Sequence, residues 1–180
     1  MLLQATDSLL LVVDVQEKLA PAVADNDAIV GRIALLMRAA KRLAVPILVS
    51  EHYPTGIGHT VPGLSALAPE DAVFEKISFS CLKQEGVPER FRKLARQQVV
   101  VCGMEAHVCV LQSALSLLGA GYQVYLAEDA TGSRKAVDRT AALRRLERAG
   151  GSLVTAEMVV FEWLERGDTP AFRELLALVK

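Results

Sequence analysis

Cys109 is the residue of this sequence whose position most favours covalent chemistry. A β-branched run at 99–101 predicts a buried strand, Gly103 ends it, and apolar residues recur at helical spacing from Ala106 onward. Cys109 therefore falls in or near a first helical turn, where unpaired backbone N–H groups and the positive end of the helix dipole stabilise an anion. This position predicts a nucleophilic thiol with a lowered pKa. The alternative is a small buried hydrophobic residue.

A carboxylate and an ammonium group follow two other predicted strands. Asp14 comes after the apolar run at 9–13, and Lys76 closes the short apolar segment at 72–76. Either residue alone is also typical of a solvated side chain at a strand end. Together with Cys109 they would supply a nucleophile, a proton acceptor and a cation that stabilises both thiolate and carboxylate.

The elements that would position these residues alternate between strand and helix along the chain. The apolar runs predict strands at 8–15, 46–50, 72–76, 98–102, 123–127 and 152–155, and helices at 26–44, 88–94, from 106, 135–149 and from 157. Parallel strands need crossover helices, so we predict a three-layer α/β/α Rossmann-like fold with a six-stranded, mostly parallel sheet in the order 3-2-1-4-5-6. In that order Asp14 and Cys109 would face each other where the winding reverses.

Composition limits the classes of function. The length of 180 residues fits one domain, 1–180, and 20 Lys plus Arg against 21 Asp plus Glu leave no charged tail for a nucleic acid. We expect no membrane partner and no signal peptide, because the apolar runs are too short. Three cysteines without a C-x-x-C pair indicate a reducing, cytoplasmic location. The hydrophobic fraction of 52% exceeds the usual ~45–50% and indicates a homo-oligomer, a dimer or higher.

Three segments, in this order, resemble the signature segments of the isochorismatase-like cysteine hydrolases. They are DVQ at 14–16, EK followed by SFS within 75–80, and GMEAHVCV at 103–110. The segment EHYPTGIGHTVPGL at 51–64 further resembles the isochorismatase-domain-containing branch. The resemblance covers nearly the whole chain.

The resemblance implies a catalytic triad and a reaction. Asp14 would accept the thiol proton and later help to activate water, Lys76 would hold the ion pair, and Cys109 would attack the substrate carbon to form a thioester. A cis peptide bond at Met104-Glu105 is also implied, with backbone N–H groups of Glu105 and Cys109 forming an oxyanion hole. We therefore predict a hydrolase of a small amide-type C–N substrate that needs no cofactor.

The same resemblance suggests a substrate pocket and raises the question of a metal. The residues expected to line the pocket are Gln16, Glu51, Tyr53 and Ala106. Nicotinamidases of this family hold a metal ion in the loop after the second strand, at positions that here look like Glu51, Tyr53 and His59. Only part of that ligand set is present. Glu51, His52 and His59 could be imagined as a cluster, but we expect no metal.

Two alternatives remain open. Isochorismatases proper cleave a vinyl ether and lack the nucleophilic cysteine, so Cys109 favours C–N hydrolysis and leaves the vinyl-ether reaction as the runner-up. A non-catalytic oligomeric binding module on the same fold is the second alternative. A nucleotide-binding sheet is disfavoured, because DVQEKLAP after the first strand has no glycine-rich turn. A Cys–His dyad is not expected either, since His107 and Cys109 would point about 200° apart on a helix.

Overall fold

Six strands form one parallel sheet in a computed structural model that describes residues 1–179. The strands are β1 (Ser8–Val13), β2 (Ile47–His52), β3 (Val73–Lys76), β4 (Gln98–Met104), β5 (Gln123–Gly132) and β6 (Ser152–Val154). Their order is β3-β2-β1-β4-β5-β6, and every neighbouring pair is parallel. The predicted fold class and strand order are confirmed.

Helices cover both faces of the sheet. They are α1 (Asn26–Arg42), α2 (Pro54–Ile57), α3 (Pro62–Ser65), α4 (Val87–Leu94), α5 (Leu111–Gly119), α6 (Ala136–Arg148), α7 (Ala156–Leu164) and α8 (Pro170–Val179). A π-helical turn at Ala106–Val110 precedes α5 and contains Cys109. Among the helices of residues 1–179, none combines the length and the apolar character needed to cross a bilayer.

The strands bury apolar side chains on both faces of the sheet. Leu10 and Val12 belong to a core with α1, α7 and α8, whereas Leu9 and Leu11 belong to a second core with α4, α5 and α6. This division follows from the two-residue period of a strand, and burial on both faces explains the continuous apolar runs. Cys109 belongs to the second core, so the candidate site is built on the α5 side of the sheet.

Two differences from the predicted boundaries affect the candidate site. β2 and β4 each run two residues further than predicted, to His52 and Met104, which brings both ends to the same edge of the sheet. β1 instead ends at Val13, two residues earlier than predicted, because Asp14 adopts a left-handed backbone conformation with φ of 50°. The segment between β2 and β3 contains two single-turn helices, α2 and α3.

β1 and β4 approach each other closely at Gly103. Gly103 pairs with Val13, has φ of 123°, and would place a Cβ atom only 2.1 Å from the carbonyl oxygen of Val13. Gly103→Ala is therefore expected to lower the free energy of unfolding by more than about 2 kcal/mol, measured by urea denaturation. Gly31→Ala is the control, because a Cβ at this α1 position meets no atom within 4 Å. Equal stabilities of the two variants would contradict this close packing.

Candidate active site

A buried ion pair lies at the carboxyl edge of the sheet. The Lys76 ammonium donates a hydrogen bond to Asp14 Oδ2 at 2.7 Å, and both side chains are 0% exposed. Ser50 Oγ donates to the other carboxylate oxygen, Oδ1, at 2.6 Å. Residues from the ends of β1, β2 and β3 therefore meet at one carboxylate, as the strand order requires.

The direction of the Asp14 side chain follows from its backbone. Regular alternation would place Asp14 on the face of Leu10 and Val12, yet its carboxylate contacts Ser50 and Lys76, which follow the alternation of the opposite face. The positive φ of Asp14 interrupts the alternation at this point. The break in the strand thus aims the carboxylate toward the side of the sheet that carries Cys109.

Cys109 lies beside this ion pair. Its Sγ is within 4.8 Å of a carboxylate oxygen of Asp14 and of an imidazole nitrogen of His52. Burial raises the pKa of the Cys109 thiol, the charge of Asp14 raises it further, and Lys76 only partly opposes this. The predicted lowering of this pKa is wrong, because burial and the adjacent carboxylate outweigh the favourable helix end. The raised pKa favours the protonated thiol, which lies next to the Asp14 carboxylate.

Lys76 keeps its charge despite complete burial. Burial alone disfavours the ammonium, but the negative charge of Asp14 and the hydrogen bond between the two more than offset this and raise the pKa of Lys76. A charged lysine therefore balances the Asp14 carboxylate inside the protein.

His52 is a site residue whose position the sequence analysis missed. It is paired with Lys76 in the β2–β3 ladder, and its ring stacks at a tilt against Phe79, with centroids 5.3 Å apart. Burial and the nearby charge of Lys76 lower the pKa of His52, so the ring is neutral at pH 7. The spacing of Leu48, Ser50 and His52 along β2, read with a period of two, is the signal that could have placed it on the Cys109 side.

An aspartate after the first strand, a lysine at the end of the third and a cysteine after the fourth occur in the order typical of a known family. The isochorismatase domain model matches residues 8–158. The chain belongs to the isochorismatase family.

Relatives of this isochorismatase-family protein support the assignment. Mouse isochorismatase domain-containing protein 2A is 36% identical in an alignment of 177 residues that covers 96% of this chain and 82% of the mouse protein. The structure of the MAR1 ribonuclease from Caenorhabditis elegans is 36% identical and superimposes with a TM-score of 0.93 over 99% of this chain and 92% of that chain.

Two YcaC structures have the same architecture. Escherichia coli YcaC, described as an octameric hydrolase of unknown specificity, is 26% identical with a TM-score of 0.93 and covers 99% of this chain and 90% of its own. Pseudomonas aeruginosa YcaC, solved with hexane-2,5-diol and covalent acrylamide, is 25% identical with a TM-score of 0.93 over 98% of this chain and 91% of its own.

Gln16, a predicted pocket residue, holds the segment after β2 in this isochorismatase-family protein. Its amide nitrogen donates to the carbonyl oxygens of His52, at 3.0 Å, and Gly58, at 2.6 Å. Its amide oxygen accepts from the N–H of His52 at 2.7 Å. The buried Gln16 amide therefore fixes the end of β2, and its contact with a substrate stays a prediction.

Glu51 and His59, which were considered as metal ligands, are bonded to each other. Glu51 Oε2 lies 2.8 Å from His59 Nδ1, and Glu51 Oε1 accepts from both the N–H and the hydroxyl of Thr60 at 2.7 Å. The hydrogen bond and negative charge of Glu51 raise the pKa of His59. His52 follows Glu51 directly in β2, but its ring belongs to the cluster of Asp14 and Cys109 rather than to the Glu51–His59 pair.

The implied cis peptide bond lies between the end of β4 and the π-helical turn. The Met104-Glu105 bond is cis, which confirms this part of the expectation. Glu105 Oε1 accepts hydrogen bonds from the N–H and the guanidinium Nε of Arg134, both at 3.0 Å, and so joins the residue after β4 to the segment between β5 and α6. Ala106, a predicted pocket residue, is buried at the start of the π-helical turn. The oxyanion hole and the role of Ala106 stay predictions.

The remaining histidine and cysteines have other surroundings. His107 Nδ1 lies 3.0 Å from Ser133 Oγ, and its Nε2 lies 3.9 Å from Asp138, so His107 faces α6. These contacts agree with the expectation that His107 and Cys109 form no dyad, which stays a prediction. Burial raises the pKa of Cys81 and of Cys102, and Cys102 belongs to the core on the other face of the sheet.

A cavity of about 300 Å³ adjoins the end of β3. Tyr53, which was also predicted to line the pocket, lines this cavity and is about half exposed. The remaining lining residues are Pro54, Thr55, Glu75, Lys76, Ile77 and Gln84. The volume is at the lower end of the range that holds small-molecule ligands.

Proposed function

We propose that this protein hydrolyses the C–N bond of a small amide, with Cys109 as the nucleophile, Asp14 as the general base and Lys76 as the cation of the site. The observation that carries the proposal is the buried Asp14–Lys76 pair with the Cys109 thiol beside it. Membership of a hydrolase family supports the reaction class.

The first half-reaction forms a thioester. Sγ of Cys109 attacks the amide carbon while its proton passes to Asp14. Because burial and Asp14 raise the pKa of the thiol, this transfer accompanies the attack rather than preceding it. The C–N bond then breaks, Asp14 returns the proton to the leaving nitrogen, and ammonia or an amine departs.

The second half-reaction restores the thiol. Asp14 accepts a proton from water as the water oxygen attacks the thioester carbon. The C–S bond breaks, the acid product leaves, and Sγ recovers the proton from Asp14. Throughout both halves one negative charge remains near the Lys76 ammonium, first on Asp14 and then on the reacting atoms. Backbone N–H groups of Glu105 and Cys109 would stabilise the oxygen anion of each tetrahedral intermediate.

The charge of the site favours an amide over isochorismate. Isochorismate carries two carboxylates, and the one cation of the proposed triad is already paired with Asp14. A neutral amide adds no charge beside that carboxylate, so it avoids the repulsion that a dianion would meet.

Ammonia release from a panel of small primary amides, including nicotinamide, tests the proposal. We expect at least one amide to be hydrolysed, with equal amounts of ammonia and acid and with a hydroxamate formed when hydroxylamine traps the thioester. Isochorismate is assayed in parallel. Turnover of isochorismate alone would contradict the proposal in favour of the vinyl-ether reaction. An absence of turnover together with an absence of acyl-enzyme in mass spectra would support the non-catalytic module.

RNA is included in the same panel because the Caenorhabditis elegans relative is called a ribonuclease. We expect no cleavage of RNA. The formal net charge is −1 and the proposed triad is buried, which does not favour a polyanion. Absence of a nucleic-acid partner therefore stays our prediction.

The predicted homo-oligomer fits an octameric relative, Escherichia coli YcaC. Exposed apolar side chains of Ile77 and Phe79, near the end of β3, are surfaces that a second copy could cover. Self-association of this chain and its cytoplasmic location stay predictions.

A further inference from the structure

We propose that the His52 ring accepts a hydrogen bond from the substrate N–H, and that it thereby selects amides with at least one N–H over esters and N,N-dialkyl amides. This inference rests on the proposed hydrolysis and narrows its substrate class. The observations behind it are the place of the ring beside Cys109 and a ring nitrogen that has no partner within residues 1–179.

The His52 ring lies within reach of the leaving nitrogen. One of its imidazole nitrogens is within 4.8 Å of both Cys109 Sγ and a carboxylate oxygen of Asp14. In the attacking geometry the amide carbon is about 3–3.5 Å from Sγ, and the amide nitrogen is ~1.33 Å from that carbon. A hydrogen bond from this nitrogen to the ring spans about 3 Å. The sum of these distances exceeds 4.8 Å, so a bent arrangement satisfies both contacts.

Nδ1 of His52 is the atom that a substrate N–H would satisfy. It is buried and has no hydrogen-bond partner in the described part of the chain. A buried polar atom without a partner is uncommon and costs free energy. An amide N–H supplies the missing donor, whereas an ester oxygen or a dialkylated nitrogen carries no hydrogen to donate.

The charge state of His52 makes Nδ1 an acceptor. Burial and the charge of Lys76 lower the pKa of the ring, and Asp14 only partly opposes them, so the ring is neutral at pH 7 and carries one proton. Backbone hydrogen bonding by Ser78 favours a proton on the ring. Because Nδ1 has no partner, this proton belongs on Nε2, and the lone pair is on Nδ1.

Two contacts hold the ring in place before a substrate binds. The Gln16 amide bonds both the N–H and the carbonyl oxygen of His52, and the ring packs against Phe79 with centroids 5.3 Å apart. An acceptor that is already ordered loses little conformational entropy on binding. With one N–H held by His52, the leaving nitrogen stays beside Asp14, the residue that returns the proton in the proposed mechanism.

Kinetics with a primary amide and the methyl ester of the same acid test the inference. His52→Phe keeps an aromatic ring against Phe79 but removes both nitrogens. We expect it to lower kcat/KM for the amide at least about tenfold and to change that for the ester by no more than about threefold. His52→Asn, whose side-chain oxygen can accept a hydrogen bond, should recover part of the amide rate.

His59→Gln is the matched control. His59 is mostly exposed and pairs with Glu51, so its replacement should leave the ratio of amide to ester rates unchanged. An equal loss for amide and ester in His52→Phe would overturn the inference, because the ring would then act through packing alone. Unchanged amide kinetics in His52→Phe would overturn it as well.

The unaltered protein supplies a measurement that needs no variant, should His52→Phe fail to fold. An N-methyl amide should react at least about tenfold faster than the N,N-dimethyl amide of the same acid, and equal rates would refute the hydrogen bond. Amide turnover with an unchanged ratio in His52→Phe refutes only the role of His52. Absence of acyl-enzyme with both amide and ester refutes the proposed function, and this inference with it.

Discussion

Cys109→Ala is expected to lower kcat/KM for the amide by at least about 10³-fold, because loss of the attacking atom removes the thioester route entirely. The fold should persist, since the change removes one sulfur atom from a turn at the edge of the second core. Ammonia release measures the activity, and the thermal midpoint together with circular dichroism measures folding.

Cys102→Ala is the matched control for this loss. Cys102 is fully buried in β4 on the other face of the sheet, so its replacement changes packing without touching the proposed triad. We expect its turnover to stay within a few-fold of the unaltered protein. Full turnover in Cys109→Ala would contradict covalent catalysis and return the vinyl-ether reaction to first place.

Lys76→Met should destabilise the protein by about 3–5 kcal/mol. Breaking a fully buried ion pair leaves the Asp14 carboxylate without its counter-charge, and the cost of an unpaired buried charge has this magnitude. Hydrolysis should fall as well, because no cation then stabilises the negative charge of the reacting groups. Urea denaturation at pH 7 measures the free energy of unfolding.

The double variant Asp14→Asn/Lys76→Met separates charge from packing. It buries no unpaired charge, so we expect it to be more stable than Lys76→Met by at least about 1 kcal/mol. Lys83→Met, at an exposed position, should change stability by no more than about 0.5 kcal/mol. A double variant less stable than Lys76→Met would show that packing by the lysine chain, rather than the charge pair, dominates.

The fold and the meeting of the three site residues could be predicted from local pattern. Apolar runs and helical spacing identified the strands and helices, and the topology rules for parallel sheets then put Asp14 and Lys76 at one edge. The resemblance to the family segments then indicated which residues near the strand ends belong to one triad. The fold prediction succeeded because it depends on periodicity and chain order, and the grouping of the three residues also drew on the family segments.

Other features depend on backbone angles, strand register and burial depth, which the local sequence pattern does not determine. The direction of the Asp14 carboxylate follows from one positive φ, and the place of Ser50 and His52 in the site follows from the register of β2 on β1 and β3. The sign of the Cys109 pKa shift depends on how deeply the turn is buried. β5 runs five residues beyond its predicted end, because it shifts register against β4 and pairs again at Thr131.

The attachment of the segment after β2 has an evolutionary consequence. Gln16 and Glu51 fasten it at His52, Gly58 and Thr60, while residues between these points, such as Thr55, line the cavity. Asp14, Lys76 and Cys109 belong to the sheet edge and the turn before α5. Substitutions between the anchors can therefore reshape the cavity without moving Asp14, Lys76 or Cys109, so related proteins that keep these three residues can diverge in the molecules that the cavity admits.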